Sequence, residues 1–375
     1  FLENIKASLV PGWKLQKKRW GHSIHTMCTY MAAFPQSIPR YFIDLFTEKG
    51  DVVFDPFSVK GTTPAEALIM GRKGIGNDLN PLAYVLTNAK LNSFGKDETI
   101  IRLNELEREW IDKRDEIDIK GEPEIIRLIF HNKTLNQLIF LKNKLNWKPR
   151  EGNNLDCFII GNLMGIIHGS SKGFLSLAMP NTFSMSPNYI KNYSKKNNLV
   201  AEERDVFELL KSKLERIYKF GELNENGKSY LGDARKVPLE SNSVNLIVTS
   251  PPYLKVIKYG LYNWIRLWFL DEKPEKVDSD LDDTHALKEY LEFMKESLKE
   301  SYRIMKDGSL AVFIIGDVEK KRKKINLAKL QLIIDYETGF FLANDIGVSQ
   351  FQWFFVKNVI GSQLMIKICQ SSYQR

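Results

Sequence analysis

Long hydrophobic runs are missing: nowhere in the 375 residues do apolar positions approach the roughly 18 in succession that a membrane-spanning helix needs. The amino terminus shows no basic-then-apolar leader, and the chain opens on Phe1 rather than Met, as a trimmed chain would. A cytoplasmic protein without membrane contact is expected. Cysteine is scarce: Cys28, Cys157 and Cys369 are far apart and odd in number, with no CxxC pair. That pattern excludes a disulfide framework and a structural zinc centre, so reduced thiols and no metal are expected. Of five histidines, only His25 and His168 lie near motif-like segments, and neither has the companions of a metal site or a nucleophile triad. Both are read as loop or packing residues. Internal repeats and low-complexity tracts are also lacking, which excludes solenoids and long linkers.

What is present is an ordinary globular composition, 43% apolar and 27% charged, with mean hydropathy −0.29. The length suits one large α/β domain with an insertion, or two modest domains. Lys and Arg number 54 against 46 Asp and Glu, a formal charge of +8, which favours polyanionic partners. The basic residues cluster at Lys14 with Lys17 to Arg19, at Lys191 with Lys195 and Lys196, and over Lys320 to Lys324. These are candidate phosphate contacts, although each alone suits a solvated face.

The segment Asp51 to Asp55 is a short apolar run between Gly50 and Pro56 and predicts a buried strand. Gly61-Thr62-Thr63-Pro64 then opens a helix, with Thr62 or Thr63 as cap, running to about Met70. A second strand follows over Lys73 to Asn77 and closes on Asp78. Strand, glycine-containing turn, helix, strand and terminal acid make a nucleotide-binding βαβ unit. Long amphipathic patterns, such as Ile100 to Ile117 and Glu202 to Tyr218, predict a mainly helical insertion over 97–220, between catalytic parts at 1–96 and 221–375. Within it, His168 to Phe174 and Met179 to Tyr189 hold too many turn formers for regular structure. Strand signals return at Ser229 to Leu231, Val244 to Val248, Ser309 to Ile315 after a Lys306-Asp307-Gly308 turn, and near Phe340 to Gly347. A helix from Ala286 to Met305 lies between, and Trp264 and Trp268 fall on the core-facing side of a shorter one.

Two segments carry chemistry. In Asp55-Pro-Phe-Ser-Val-Lys-Gly-Thr-Thr63, small residues let backbone approach a ligand where a helix presents free N–H groups, and Asp78 is placed to accept ribose hydroxyls. Ser250-Pro251-Pro252-Tyr253 follows an apolar strand directly, at the sheet end where α/β proteins bind ligands. Two prolines add no N–H donors and leave carbonyls as acceptors, so Ser250 Oγ and a proline carbonyl suit the two N–H groups of an exocyclic amine. Tyr253 can stack on the base.

The ordered set Asp55-Pro-Phe-Ser-x-x-Gly-Thr-Thr, Gly76-Asn-Asp78-Leu-Asn-Pro, Gly232-Asp233-Ala and Thr249-Ser-Pro-Pro-Tyr253 resembles the S-adenosylmethionine-dependent DNA amino-methyltransferases. The upstream stretch His25 to Pro35 is similar to the family segment that completes the cofactor pocket. The resemblance implies a Rossmann-like class I methyltransferase fold with a mostly parallel seven-stranded sheet. It further implies that Asp55, Phe57, Gly61 and Thr62 lie at the methionine part of the cofactor, Asp78 at the ribose and Asp233 at the adenine amine. Ser250, Pro251, Pro252 and Tyr253 would then face the target base. Ser before Pro-Pro-Tyr resembles the cytosine-N4 enzymes, whereas Asp there is typical of adenine-N6 enzymes. The implied activity is site-specific methylation of double-stranded DNA within restriction-modification, with a cognate endonuclease as a possible partner. An adenine-N6 enzyme and a catalytically impaired DNA-binding protein are the alternatives. The latter rests on Val59, where the family usually has Gly: a β-branched residue disfavours positive φ, so strain at this turn is expected to weaken cofactor binding.

Overall fold

The computed structural model describes residues 21–356, apart from 32, 150–151, 172, 182, 224–225, 253–256, 282–286, 316–317, 321–322, 326–340 and 343–350. Tyr253, the basic cluster at Lys14 to Arg19, and Cys369 therefore lie outside the described residues.

Five parallel strands make the centre of the molecule: β1 (Val52–Asp55), β2 (Lys73–Asp78), β3 (Lys228–Leu231), β4 (Val244–Thr249) and β5 (Met305–Ile315). Their order is β3-β2-β1-β4-β5, each neighbouring pair parallel. Beyond β5, Phe351–Val356 pairs antiparallel with it, and Phe341–Leu342 pairs antiparallel with that strand. Chain order reverses between β1 and β4, and this switch point opens a crevice at the strands' carboxyl ends. The central strands are apolar without alternation because helices cover both faces. Val53, Leu246, Val248 and Val312 pack on one side with Ile38, Phe42 and Ile43 of α1 (Ser37–Phe46). Phe54, Ile247, Ala311 and Phe313 pack on the other with Tyr290, Met294 and Leu298.

The first crossover helix, α2 (Thr62–Ile69), begins one residue earlier than a threonine cap would place it. Gly61 is the N-cap, at φ 69°, with no side-chain cap bond. Thr63 spends its hydroxyl on the Val248 carbonyl at 3.0 Å, which ties the helix start to β4 and removes the group from capping. After β2, Asn80 caps α3 (Pro81–Leu91) by accepting from Leu82 N–H.

Helices fill most of the stretch to Phe220: α4 (Lys96–Lys113), α5 (Glu124–Ile129), α6 (Asn132–Lys144), α7 (Asn154–Met164), α8 (Pro187–Lys196) and α9 (Val206–Ile217). Leu103, Leu106, Leu138, Phe158 and Phe207 form one apolar cluster with Val85, Leu86 and Ala89 of α3, so this region is packed on the sheet layer without a break. The turn-rich reading of 179–189 fails at its end. Pro187 occupies the first turn of α8, and Ser186 caps it by accepting from Tyr189 N–H, a proline-led start that turn propensity hides.

Later come α10 (Tyr259–Tyr262), α11 (Trp264–Phe269), α12 (Pro274–Asp280) and α13 (Leu287–Ile304). Trp264 is buried as expected, its indole N–H donating to Met185 O at 2.8 Å. The predicted turn at Lys306 to Gly308 is instead taken into β5 as an irregularity: pairing jumps from Val244↔Met305 to Leu246↔Leu310, with Gly308 at φ 77°. Of the strand expected near Phe340 to Gly347, only Phe341–Leu342 lies among the described residues, and the strand at Phe351–Val356 was not foreseen. The basic run Lys320 to Lys324 sits at a two-stranded antiparallel ladder, β6 (Val318–Lys320) with β7 (Lys323–Ile325). Among the described residues, no helix is long and apolar enough to cross a membrane.

Candidate active site

Three loops converge at the carboxyl ends of β1, β2 and β3. Asp55 ends β1 and is 1% exposed. Its Oδ1 accepts from Phe57 N–H at 3.1 Å and from the Thr249 hydroxyl at 2.6 Å, which joins the end of β1 to the end of β4. Burial pushes its carboxyl up to about 7, against those hydrogen bonds, and nearby Asp78 adds to the rise. Asp78 ends β2, with Oδ2 accepting from Val59 N–H at 2.8 Å and Oδ1 from Asn80 N–H at 3.0 Å. Burial raises it to about 6, opposed by these backbone donors.

The turn between β1 and α2 is therefore held by Asp78. Val59 sits at φ 52°, in the left-handed region that the family's glycine would occupy without strain. Its N–H is committed to the Asp78 carboxylate, so the turn is already formed in the protein by itself. Strain at Val59 consequently falls on folding and not on ligand binding, which revises the expectation of weakened cofactor affinity. Gly76 lets α3 close over this turn: a Cβ there would lie 2.7 Å from Thr87 Cγ2 and 3.1 Å from Ser58 Cβ. Asn77 completes the arrangement, its amide donating to Gly232 O at 2.9 Å and Pro56 O at 3.3 Å.

A cleft of about 430 Å³ opens between these loops, lined by Phe57, Asp78, Asp233 and Pro252 among the predicted site residues. Asp55, Gly61, Thr62, Ser250 and Pro251 do not line it; Asp55 and Thr62 are buried behind it, where they brace the turn. Ser250 donates its hydroxyl to Ile314 O at 3.1 Å, which fixes the side chain against β5. The His25 to Pro35 segment, expected to complete the pocket, contributes no residue to the cleft. It braces the helices instead: His25 Nε2 lies 2.8 Å from Glu66 Oε1, and Asn80 donates to the Tyr30 hydroxyl at 2.9 Å. Burial lowers His25 to about 4, and it lowers His168 to the same value beside Ser176, so both rings are neutral at physiological pH. Both are packing residues, as expected, although His25 has gained a carboxylate partner.

Sequence reasoning missed two residues of the cleft. Arg235 grips Asp233 with a fork, Nε at 2.9 Å and Nη2 at 2.6 Å from Oδ2, and its guanidinium lies 5.5 Å from the Phe293 ring centroid. Burial would raise the Asp233 carboxyl, but these bonds outweigh it and hold the group below its ordinary value. Phe293, from α13, faces Phe57 at 5.8 Å between ring centroids. An arginine two residues after the acid was visible as a pairing signal, whereas the phenylalanine arrives from 60 residues downstream with no local sign of its role. Lys191, one of the candidate phosphate contacts, is instead paired to Glu124 at 2.7 Å.

An apolar-walled cleft with carboxylates at the switch point of a parallel sheet defines a Rossmann-like, nucleoside-binding α/β protein. A family model described as DNA methylase, of N6/N4 type, matches residues 8–88 and 244–364, more than half of the chain. The chain belongs to this DNA methylase family. Among curated relatives, it is 33% identical over 91 residues to the Type II methyltransferase M.BglI of Bacillus subtilis, 22% of this chain and 26% of that protein. It is 30% identical over 79 residues to M.MjaII of Methanocaldococcus jannaschii, 21% of this chain and 15% of that one. The chain thus spans about a quarter or less of the curated relatives it matches. A solved structure of a putative DNA modification methylase from Thermus thermophilus shares 22% identity over 35% of this chain and 54% of its own, with TM-score 0.23.

Two outcomes follow from this geometry. Val59→Gly relieves about 1–2 kcal/mol of left-handed strain and adds about 0.5–1 kcal/mol of unfolded-state entropy, so a net gain below about 1 kcal/mol is expected. Thermal unfolding of both proteins, with calorimetric titration of S-adenosylmethionine, should show a slightly higher midpoint and equal affinity; a several-fold affinity gain would return the strain to the binding step. The second concerns Asp55, whose folded value of about 7 stands above the ordinary 3.8. Such a group contributes stability that is present below pH 3.8 and is lost as pH rises through about 7. Asp55→Asn should flatten the fall in unfolding midpoint across that window, and an unaltered slope would contradict the burial argument.

Proposed function

We propose that this chain is a DNA amino-methyltransferase that transfers a methyl group from S-adenosylmethionine to the exocyclic N4 amine of cytosine in double-stranded DNA, within restriction-modification. The observation that carries the reading is the juxtaposition of an uncharged Ser250-Pro251-Pro252 loop with a nucleoside-sized cleft, Pro252 belonging to both. Family membership and the Type II methyltransferase names of the relatives support DNA as the substrate. The choice of cytosine rests on Ser250, where adenine-N6 enzymes typically carry Asp.

The residues present fit the cofactor. Phe57 and Phe293 offer apolar ring faces to an adenine, and Asp78 retains acceptor capacity for ribose hydroxyls beyond its two backbone donors. Asp55 and Asp78 are buried carboxyls held above their ordinary values for want of positive charge, an environment that favours a cation such as a sulfonium. When bound, S-adenosylmethionine supplies an electrophilic methyl group on that sulfonium.

The chain's own part is positioning. With its hydroxyl proton on Ile314 O, Ser250 Oγ is left to accept from the target amine, and a proline carbonyl accepts the second N–H. Asp55 and Thr249 hold the loop's base to the cofactor turn, and Tyr253 is assigned to the base face. Serine cannot serve as a carboxylate base, so the amine proton leaves to solvent after transfer. No covalent intermediate is called for: Cys28 and Cys157 are buried thiols away from the proline loop. The base must leave the duplex to reach this loop. The Lys320 to Lys324 run, on a hairpin that follows the carboxyl end of β5, is the assigned phosphate contact, and the helical region 97–220 the assigned target reader.

Nucleoside analysis of DNA from cells expressing the chain tests this directly. N4-methylcytosine is expected, with N6-methyladenine at background. N6-methyladenine alone would overturn the base assignment, and neither product, together with no calorimetric binding of S-adenosylmethionine, would leave an inert DNA-binding protein.

A further inference from the structure

The cleft takes up Phe57, Phe293 and Asp78, but another pair of rings at the same end of the sheet is left without a role. Tyr30 and Tyr259 lie 6.1 Å apart between ring centroids and 25° from parallel, both half-buried. Each is mounted firmly. The Tyr30 hydroxyl accepts from Asn80 Nδ2 at 2.9 Å, and Asn80 is itself fixed by Asp78 Oδ1 at 3.0 Å and by capping α3. Tyr259 starts α10, whose free N–H groups at Gly260 and Leu261 are taken by the Asp278 carboxylate at 2.7 and 3.1 Å. Asn263 donates to Tyr259 O at 2.9 Å. Gly260 lets α12 close on this mount, since a Cβ there would lie 2.1 Å from Pro274 O.

The mount is rigid on both sides and adjoins the site on both sides. Asp278 is two residues before Asp280, which lines the cleft, and Tyr259 is seven residues after Pro252, which lines it too. From the other direction, the Tyr30 ring reaches the carboxylate assigned to the ribose through a single residue, Asn80. Packing alone would not require a buried asparagine to hold a phenol beside a carboxylate, nor two backbone N–H groups to be capped so as to set one ring.

We infer that Tyr259, its plane held by Tyr30, is an aromatic wall of the pocket that receives the extruded base. Both tyrosines are positioning residues: an aromatic face accepts any base, while Ser250 and the proline carbonyls select the amine. This inference rests on the base-methylation reading above.

The test uses the full chain and duplex DNA carrying 2-aminopurine at the position found methylated in cells. Tyr259→Phe should keep single-turnover methylation near that of the unaltered protein. Tyr259→Ala should slow it by about tenfold, the usual worth of one stacking contact, with S-adenosylmethionine affinity within twofold. Emission should rise in the Ala complex, where the extruded base is no longer quenched by the ring. Tyr259→Leu, which keeps most of the buried volume, should be as defective as Ala and covers the case in which Ala does not fold. Unchanged rate and emission in Tyr259→Leu would overturn the inference and leave the pair as packing. If the unaltered protein methylates no DNA at all, it is the underlying reading that fails instead.

Discussion

The side chain of Asn77 is the joint on which the site depends. It is 1% exposed, at the last turn-facing position of β2, and its amide donates to Pro56 O on one side and Gly232 O on the other. Neither carbonyl belongs to a regular ladder, so without this amide two buried acceptors would lose a partner, at about 1–3 kcal/mol each. Those bonds keep the loop after β1 and the loop after β3 at a fixed distance across β2. Phe57, Asp78 and Asp233 can therefore face one cleft. The parallel sheet supplies the directions, and Asn77 sets the spacing.

A second constraint follows from the first. With the loops pinned, Asp78 takes Val59 N–H, and the turn is set in the left-handed conformation even with a β-branched residue. The turn carries its strain before any ligand arrives. Preorganisation of this kind moves the cost from binding to folding, where a chain of this size can absorb it. The same logic covers Asp55 and Asp78: burial holds them above their ordinary values, a cost in the free protein that a bound cation would relieve.

Much of this was legible in the sequence, and for definite reasons. The strands at Val52–Asp55, Lys73–Asp78 and Val244–Thr249 are short apolar runs closed by polar residues, a pattern that only strands buried on both faces produce. The site acids stand at the ends of those runs, so finding the strands found the acids. What escaped was non-local. Phe293 reaches the cleft from α13, Arg235 closes on Asp233, and Thr63 gives its hydroxyl to β4 when local spacing offered it as a cap. The irregular start of β5 reads as a turn because Lys-Asp-Gly is turn chemistry; pairing with β4 on both sides absorbs it into the strand. Tyr30 and Tyr259 are separated by more than half the chain, and nothing local pairs them.

The central claim is that three loops, held at one spacing by Asn77, form a preorganised nucleoside cleft. Titration of S-adenosylmethionine into Asn77→Ala by calorimetry tests it most directly, with circular dichroism to check that the sheet is intact. The account predicts a folded protein whose affinity falls by about tenfold or more, as loss of two hydrogen bonds to buried carbonyls implies. An intact fold that binds as tightly as the unaltered chain would contradict it.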